Sequence, residues 1–315
     1  MSEGGRPERI TAFAPASVGN VAIGFDILGF ALGALGDTVT VSRRREPGVE
    51  IGAVRGVAVD ISREARDNTA GRALMALLET ARPGFGLLVE IDKGIPLGSG
   101  LGGSAASAVA AVVAGNALLP EPRPKLELLK FAMAGEAVAS GGQHVDNIAP
   151  ALFGGLVLTV GIDHPRVKQI PVPADIRAVV VHPHMFLATA RARAILKGSV
   201  ELSDFVWQTA NLAGFISGCY TNDLDMIRAS LEDVVIEPQR QALIPGFADV
   251  RRGAMQAGAL GCSISGAGPA IFAWSAIQHA EAVRGAMVAA FAAHQLQSDS
   301  WVSLMQNYGA RVVKA

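Results

Sequence analysis

The stretch Gly98-Ser99-Gly100-Leu101-Gly102-Gly103-Ser104 constrains this chain more than any other. Glycines packed this densely do not propagate a helix or a strand, so the backbone must turn here through conformations that other residues avoid. Directly after it, small and apolar residues predict a helix from about Ser104 to Leu119, stopped by the proline-rich PEPRP. A glycine turn feeding a helix N-terminus lets backbone N–H groups converge on one point without Cβ obstruction, and the helix adds partial positive charge there. The expectation is a phosphate cradle, with a glycine-rich connection that holds no ligand as the alternative.

Three nucleotide-binding patterns compete for this loop. Gly98, Gly100 and Gly103 formally satisfy G-x-G-x-x-G, but a dinucleotide site needs its glycines directly after a strand and an acidic residue closing a second strand about 20 residues later. Here DKGIPL separates the strand-like LLVEI from the glycines, and PEPRP leads into another helix. A Walker A loop ends Gly-Lys-Ser/Thr, whereas this one ends Gly103-Ser104-Ala105 with no lysine. The third pattern, Pro-x-x-x-Gly-Leu-Gly-(Gly/Ser)-Ser-Ala, is met from Pro96 through Ala105.

Elsewhere the chain alternates between strand-like and helix-like segments. ITAFAPAS, VTVSRR, GVEIGAV, LLVEI and GGLVLTV read as strands, and VKQIPVPADIRAVVVHP reads as two strands around a proline turn. NTAGRALMALLETA has amphipathic helical spacing with Asp67 or Asn68 as cap, and LELLKFAMAGEAVAS predicts a helix stopped by Gly141 and Gly142. Beyond a soft boundary near residue 165, strands (AVVVHP, SISG, AIFAW) mix with helices (FVWQTANLAGFISGCY, the region after Gly246, QHAEAVRGAMVAAFAAH). Without a strict βαβ repeat, this order favours α+β over a doubly wound sheet.

Composition excludes several functions. Lys and Arg total 27 against 28 Asp and Glu, so the basic excess of a nucleic-acid binder is missing and a small ligand is expected. The apolar run 105–119 is shorter than the roughly 20 residues that span a bilayer, and MSEGGRPERI lacks the apolar core of a secretory signal. A cytoplasmic protein without membrane association is expected. Cys219 and Cys262 have no CxxC spacing and read as buried, reduced thiols. The HPH at 182–184 has no third ligand at a recognisable spacing and reads as a strand end, while Trp207 and Trp274 are expected in the core.

The segment from Pro96 to Ala105 resembles the second motif of the GHMP kinases, the superfamily of galacto-, homoserine, mevalonate and phosphomevalonate kinases. Ala14-Pro15-Ala16-Ser17-Val18-Gly19-Asn20 resembles their first motif and Ser265-Gly266-Ala267-Gly268-Pro269 their third, in the same order. The resemblance implies a ribosomal-protein-S5-like α/β domain (1–165) that binds ATP, followed by a ferredoxin-like α+β domain (166–315). Gly24-Phe25-Asp26-Ile27-Leu28-Gly29, the run 140–150, Thr189-x-x-x-Arg193 and Glu237-Pro238-Gln239-Arg240 are similar to the homoserine-acting branch, which serves threonine synthesis. Another alcohol substrate, or a non-catalytic ATP sensor on the same scaffold, are the alternatives.

The resemblance also implies roles. Lys93, Pro96, Gly98, Ser99, Gly100, Leu101, Gly102, Gly103, Ser104 and Ala105 would form the nucleotide site, with Lys93 reaching toward phosphate. Ser104 and Glu136 would ligate Mg2+, a hard cation suited to oxygen donors. L-homoserine is a zwitterion with a primary hydroxyl, so its pocket should offer guanidinium to the carboxylate and oxygen to the ammonium. Arg193 and Arg240 would hold the carboxylate through their planar forks, Asn20, Asp26 and His144 would complete the amino-acid site, and Asn147 would orient the hydroxyl. Asp26 would accept the proton, or the hydroxyl would lose it late to the phosphoryl group. Each residue taken alone has a structural alternative: a turn cap for Asn20 or Asp26, a hydrogen-bonded imidazole for His144, a surface charge for an arginine, a solvated helix position for Glu136. A homodimer is also implied.

Overall fold

A computed structural model describes residues 7–140, 145–161, 164–305 and 308–315. In the first half, β1 (Arg9–Gly19) and β2 (Leu28–Arg44) pair antiparallel, followed by β3 (Val49–Gly56), α1 (Thr69–Ala81), β4 (Gly86–Lys93), α2 (Gly103–Leu118), α3 (Lys125–Ser140), α4 (Val145–Phe153), β5 (Leu156–Val160) and β6 (Arg166–Ile170). Asn68 rather than Asp67 caps α1, its side chain accepting from Ala70 N at 3.0 Å and Gly71 N at 3.1 Å. Arg82 closes the helix in the left-handed region (φ 45°) with its N–H on Leu78 O. The predicted α2 is a core helix: its alanines and valines are buried on every side, and it packs on β1 and β2 with α1 and α3 over it. That close approach depends on small residues. A Cβ at Gly115 would stand 2.4 Å from Leu74 Cδ2, and one at Gly135 would stand 2.4 Å from Thr69 O.

β2 is longer than its readable part, VTVSRR. Pro15 pairs with Gly36 but the next residue, Ala16, pairs with Leu32, so residues 33–35 are looped out and the strand bends. Its two halves serve different neighbours on one edge: residues 38–44 pair with β4 and residues 28–30 with β5. The glycine loop leaves β4 and re-enters α2 beside this divide.

In the second half come β7 (Ile176–Pro183), α5 (Thr189–Ala194), α6 (Leu202–Thr221), α7 (Leu224–Ser230), α8 (Glu237–Arg240), α9 (Phe247–Gln256), β8 (Ala259–Ile264), β9 (Ile271–Ala276), α10 (Ala280–Ala293), β10 (Ser298–Ser303) and β11 (Arg311–Lys314). The second sheet runs β10-β7-β9-β8, wholly antiparallel, with α9 and α10 against it. Strand order and helix placement are those of a split βαβ unit, as expected of a ferredoxin-like domain. The first sheet runs β11-β1-β2-β4-β3, with β5 and β6 attached through β2, so β6 and the terminal β11 both belong to it.

The two sheets share one core. The Phe30 ring meets Phe272 at 5.7 Å and Trp274 at 5.9 Å, and Phe215 of α6 lies 4.9 Å from Trp274. Trp274 is fully buried as expected, but Trp207 is 55% exposed, because it falls on the solvent side of α6. Both cysteines are free and buried, and burial holds the Cys219 thiol up at about 12. His182 and Pro183 close β7, the strand end expected of HPH, and no group of three potential metal ligands occurs among the described residues.

Candidate active site

The three glycine-containing segments meet. Ser17 N donates to Leu101 O at 3.1 Å, Gly266 N to Gly19 O at 3.1 Å, and Ala270 N to Ser99 O at 3.0 Å, while the Ser265 hydroxyl donates to Gly100 O at 2.7 Å. Asn20 Nδ2 donates to Gly266 O at 2.9 Å and its Oδ1 accepts from Asp26 N at 3.0 Å. One side chain thus ties the first segment to the third. The first turn pays for this in backbone conformation: Asn20, Val21, Ala22 and Asp26 all have positive φ, which is rare for a β-branched residue such as Val21.

Around these links lies a cleft of about 400 Å³. One wall is Pro96, Gly98, Ser99, Gly100, Gly102, Gly103 and Ser104, where α2 begins; Gly102 precedes it in the left-handed region (φ 67°) and no side chain caps it. The first N–H groups of α2 are therefore left for a ligand on this side. A Cβ at Gly102 would stand 2.2 Å from Ser17 Oγ and 2.9 Å from Asn147 Oδ1, so only glycine fits. Leu101 and Ala105 are fully buried beneath the loop and do not line the cleft.

The opposite wall is charged. Arg193 Nη2 donates to both Asp26 oxygens, at 2.8 and 3.1 Å. Arg240 is buried, donates through Nε to Ala192 O and through Nη1 to Gly266 O, both at 3.0 Å, and keeps three N–H groups beyond these two. Both guanidinium carbons lie 5.2 Å from the Phe25 ring centre. Burial, and then the neighbouring Arg193, lower the pKa of Arg240, so the site favours an arriving anion. Asn147 sits between the walls, its Oδ1 accepting from Ser17 Oγ at 3.0 Å, and Glu136 lines the same cleft from α3.

Family models for the GHMP kinases N terminal domain and the GHMP kinases C terminal match residues 68–155 and 215–293. The chain is 49% identical over 303 residues to a homoserine kinase of Xylella fastidiosa (strain 9a5c), covering 96% of this chain and 93% of that one. It is 50% identical over 303 residues to a homoserine kinase of Xanthomonas campestris pv. campestris (strain B100), with the same coverage. The crystal structure of homoserine kinase from Cytophaga hutchinsonii ATCC 33406 superposes with a TM-score of 0.95 at 42% identity, over 99% of this chain and 100% of that chain. The chain belongs to the homoserine kinase family of GHMP kinases.

Within this homoserine kinase family member, the cleft gathers Asn20, Asp26, Asn147, Arg193, Arg240, Glu136, Ser104 and the loop glycines. His144 lies outside the described residues. Lys93 is not in the cleft. It is buried beneath the loop, ion-paired with Asp37, and donates to Gly103 O at 2.8 Å and Ser107 Oγ at 3.0 Å. Its ammonium holds the start of α2 from below. Several lining residues were given no role in the sequence reading, Phe25, Asp146 and Phe186 among them. Phe25 sits inside the quoted segment Gly24–Gly29 and Asp146 beside Asn147, so both were within reach; Phe186, whose ring fills the space a Cβ on Gly98 would need, carries no motif signal.

Beside Arg240, α8 also carries a buried acid. Glu237 is 8% exposed; burial raises its pKa to about 7, against the lowering effects of its Ser263 hydrogen bond and of Arg251, with Asp233 and Glu232 adding to the rise. A carboxyl whose folded pKa lies above its unfolded value supports folding fully below about 4.5 and loses that support as pH rises through about 7. Glu237→Gln removes this titration. Urea melts of parent and variant should therefore diverge in the variant's favour between pH 5 and pH 8, by on the order of 2 kcal/mol; parallel pH profiles would contradict the assignment.

Proposed function

We propose that this protein transfers the γ-phosphoryl group of ATP to the side-chain hydroxyl of L-homoserine, giving O-phospho-L-homoserine. The observation that carries the reading is one cleft with an uncapped helix start and glycine loop on one side, and Arg193, Arg240 and Asp26 on the other. Phosphoryl transfer asks for in-line positioning and neutralisation of charge on the transferring group. The N–H groups opening α2 neutralise the nucleotide's phosphates. Arg240, with three uncommitted N–H groups, takes the amino-acid carboxylate, and Asp26, held by Arg193, accepts from the ammonium. Asn147 orients the hydroxyl.

Ser104 and Glu136 line the cleft from α2 and α3, an all-oxygen pair that fits Mg2+. That ion would supply charge neutralisation on the phosphates. The hydroxyl proton goes to Asp26, which lines the cleft, or late to the phosphoryl group itself. Ser104→Ala should raise the KM for Mg-ATP by about tenfold or more with homoserine affinity unchanged; equal Mg-ATP dependence in variant and parent would remove Ser104 from the metal site.

The reading further places the protein in the cytoplasm as a homodimer acting on a small molecule, with no nucleic-acid or membrane partner. No helix among the described residues is long and apolar enough to cross a membrane. The test is a coupled ADP-release assay across homoserine, mevalonate, galactose and shikimate. Turnover confined to homoserine is expected. Preference for another alcohol would redirect the assignment within the superfamily, and tight ATP binding without turnover on any of them would favour a sensor.

A further inference from the structure

Two charges of the amino-acid pocket stand on segments that cannot hold their own shape. Asp26 closes a turn in which Asn20, Val21 and Ala22 also have positive φ. Arg240 ends α8, a helix of four residues whose N-cap, Ile236, supplies no side-chain bond. One turn of helix is not stable in isolation, because forming it fixes several backbone angles for a single hydrogen bond. For α8 the outside support is Asp233. Its Oδ1 accepts from Val235 N and Ile236 N, both at 2.9 Å, and its Oδ2 from Glu237 N at 2.8 Å, so one carboxylate takes three successive amides leading into the helix. Arg240 N then bonds Ile236 O at 3.1 Å. Asp233 is 7% exposed; burial raises its carboxyl pKa, while these amides and Gln208 pull it back. Gln208, on α6, spans the remaining gap. Its Oε1 accepts from Val234 N at 3.0 Å, and its Nε2 donates to Ile23 O at 3.2 Å, inside the turn that carries Asp26. Three residues along on the same face of α6, Asn211 Nδ2 donates to Glu232 O at 2.8 Å. Neither Gln208 nor Asp233 lines the cleft.

We propose that Asp233 and Gln208 are positioning residues for the amino acid: Asp233 aims Arg240 by fixing α8, and Gln208 sets the distance between Arg240 and Asp26. This rests on the reading that Arg240 takes the carboxylate of homoserine and Asp26 its ammonium. The guanidinium bonds to Ala192 O and Gly266 O form only when the α8 backbone is already placed for them. A shift of about 1 Å between the two charges would spoil a two-point grip on one α-carbon. It would leave the nucleotide loop where it is, because Asp37 and Lys93 hold that loop from the other side.

The experiment is steady-state kinetics of the full-length parent, Gln208→Met and Asp233→Asn, with each substrate varied in turn. Calorimetric binding of L-2-aminobutyrate, which is homoserine without its hydroxyl, reads the amino-acid pocket apart from the chemistry. Gln208→Met keeps the length of the side chain and loses both bonds, while Asp233→Asn keeps an acceptor for Val235 and Ile236 and loses the one for Glu237. Each should raise the homoserine KM and the aminobutyrate Kd about tenfold, with kcat and the ATP KM within about twofold of the parent. A residue that only stabilised the fold would lower the urea midpoint without separating the two KM values. If one variant does not fold, the other decides; if neither folds, both residues are purely structural and the proposal fails. Folded variants that match the parent's homoserine KM, or that raise both KM values together, would overturn it while a parent active on homoserine leaves the substrate reading standing. A parent without homoserine turnover would sink that reading and this inference with it.

Discussion

Replacing Arg240 with methionine is expected to raise the KM for homoserine by about a hundredfold or more, while the KM for ATP changes by less than about threefold. The guanidinium is buried between Ala192 O and Gly266 O, so its charge is held in place before any ligand arrives. A carboxylate docking there gains charge-assisted bonds in a site already stripped of water. Because the carboxylate is remote from the transferred phosphoryl group, its binding is the same in ground and transition states, and kcat should move little. Arg240→Lys should rescue poorly, since an ammonium cannot hold both carbonyls and a carboxylate through one planar fork. Steady-state kinetics with each substrate varied in turn decide the matter. A fall in kcat with both KM values unchanged would mean that Arg240 acts on the transferring group instead.

Asp37→Ala should be the most destabilising single substitution near the site, lowering the unfolding free energy by roughly 3–5 kcal/mol. Asp37 is fully buried and accepts from Lys93 Nζ, from Ser107 Oγ at 2.6 Å, and from the N–H groups of Gly94 at 3.0 Å and Ile95 at 3.2 Å. Its loss strands the Lys93 ammonium, itself only 3% exposed, under the loop. Removing both charges leaves no stranded ion, so Asp37→Leu with Lys93→Met should recover most of the lost stability in urea melts. A Lys93→Met chain that melted like its parent while losing affinity for ATP would restore Lys93 to the phosphate site.

The sequence was most legible where chemistry is local. The loop 98–104 needs only glycines and the start of a helix, and the structure opens α2 there with its N–H groups uncapped. Asn68 at the start of α1 and the alternation of VTVSRR are likewise decided by near neighbours. What escaped depended on distant partners. The first half of β2 is glycine-rich and bulged, and only its pairing with β1 and β5 makes it a strand. α4 contains Pro150, which argues against a helix until packing on β1 and β2 outweighs it. β11 is a four-residue strand that forms only because β1 offers it an edge.

The site divides in the same way. Asn20, Asp26, Asn147, Arg193 and Arg240 were named from motifs scattered over 220 positions, and their convergence on one cleft is a property of the fold. Lys93 shows the converse. A lysine beside a glycine loop suggests a phosphate ligand, but Asp37, 56 residues away, claims its charge. No local pattern contains that pairing, because the two meet only when β2 and β4 lie side by side.

The central claim is that the amides opening α2 and the two arginines beside Phe25 hold a nucleotide and an amino acid in one cleft. A crystal structure with a non-hydrolysable ATP analogue, Mg2+ and homoserine measures this directly. The terminal phosphates should lie within hydrogen-bond distance of the backbone N–H groups of residues 100–104, with the homoserine carboxylate on Arg240 and its hydroxyl facing the last phosphate. A nucleotide bound elsewhere, or homoserine with its carboxylate away from both arginines, would contradict the account.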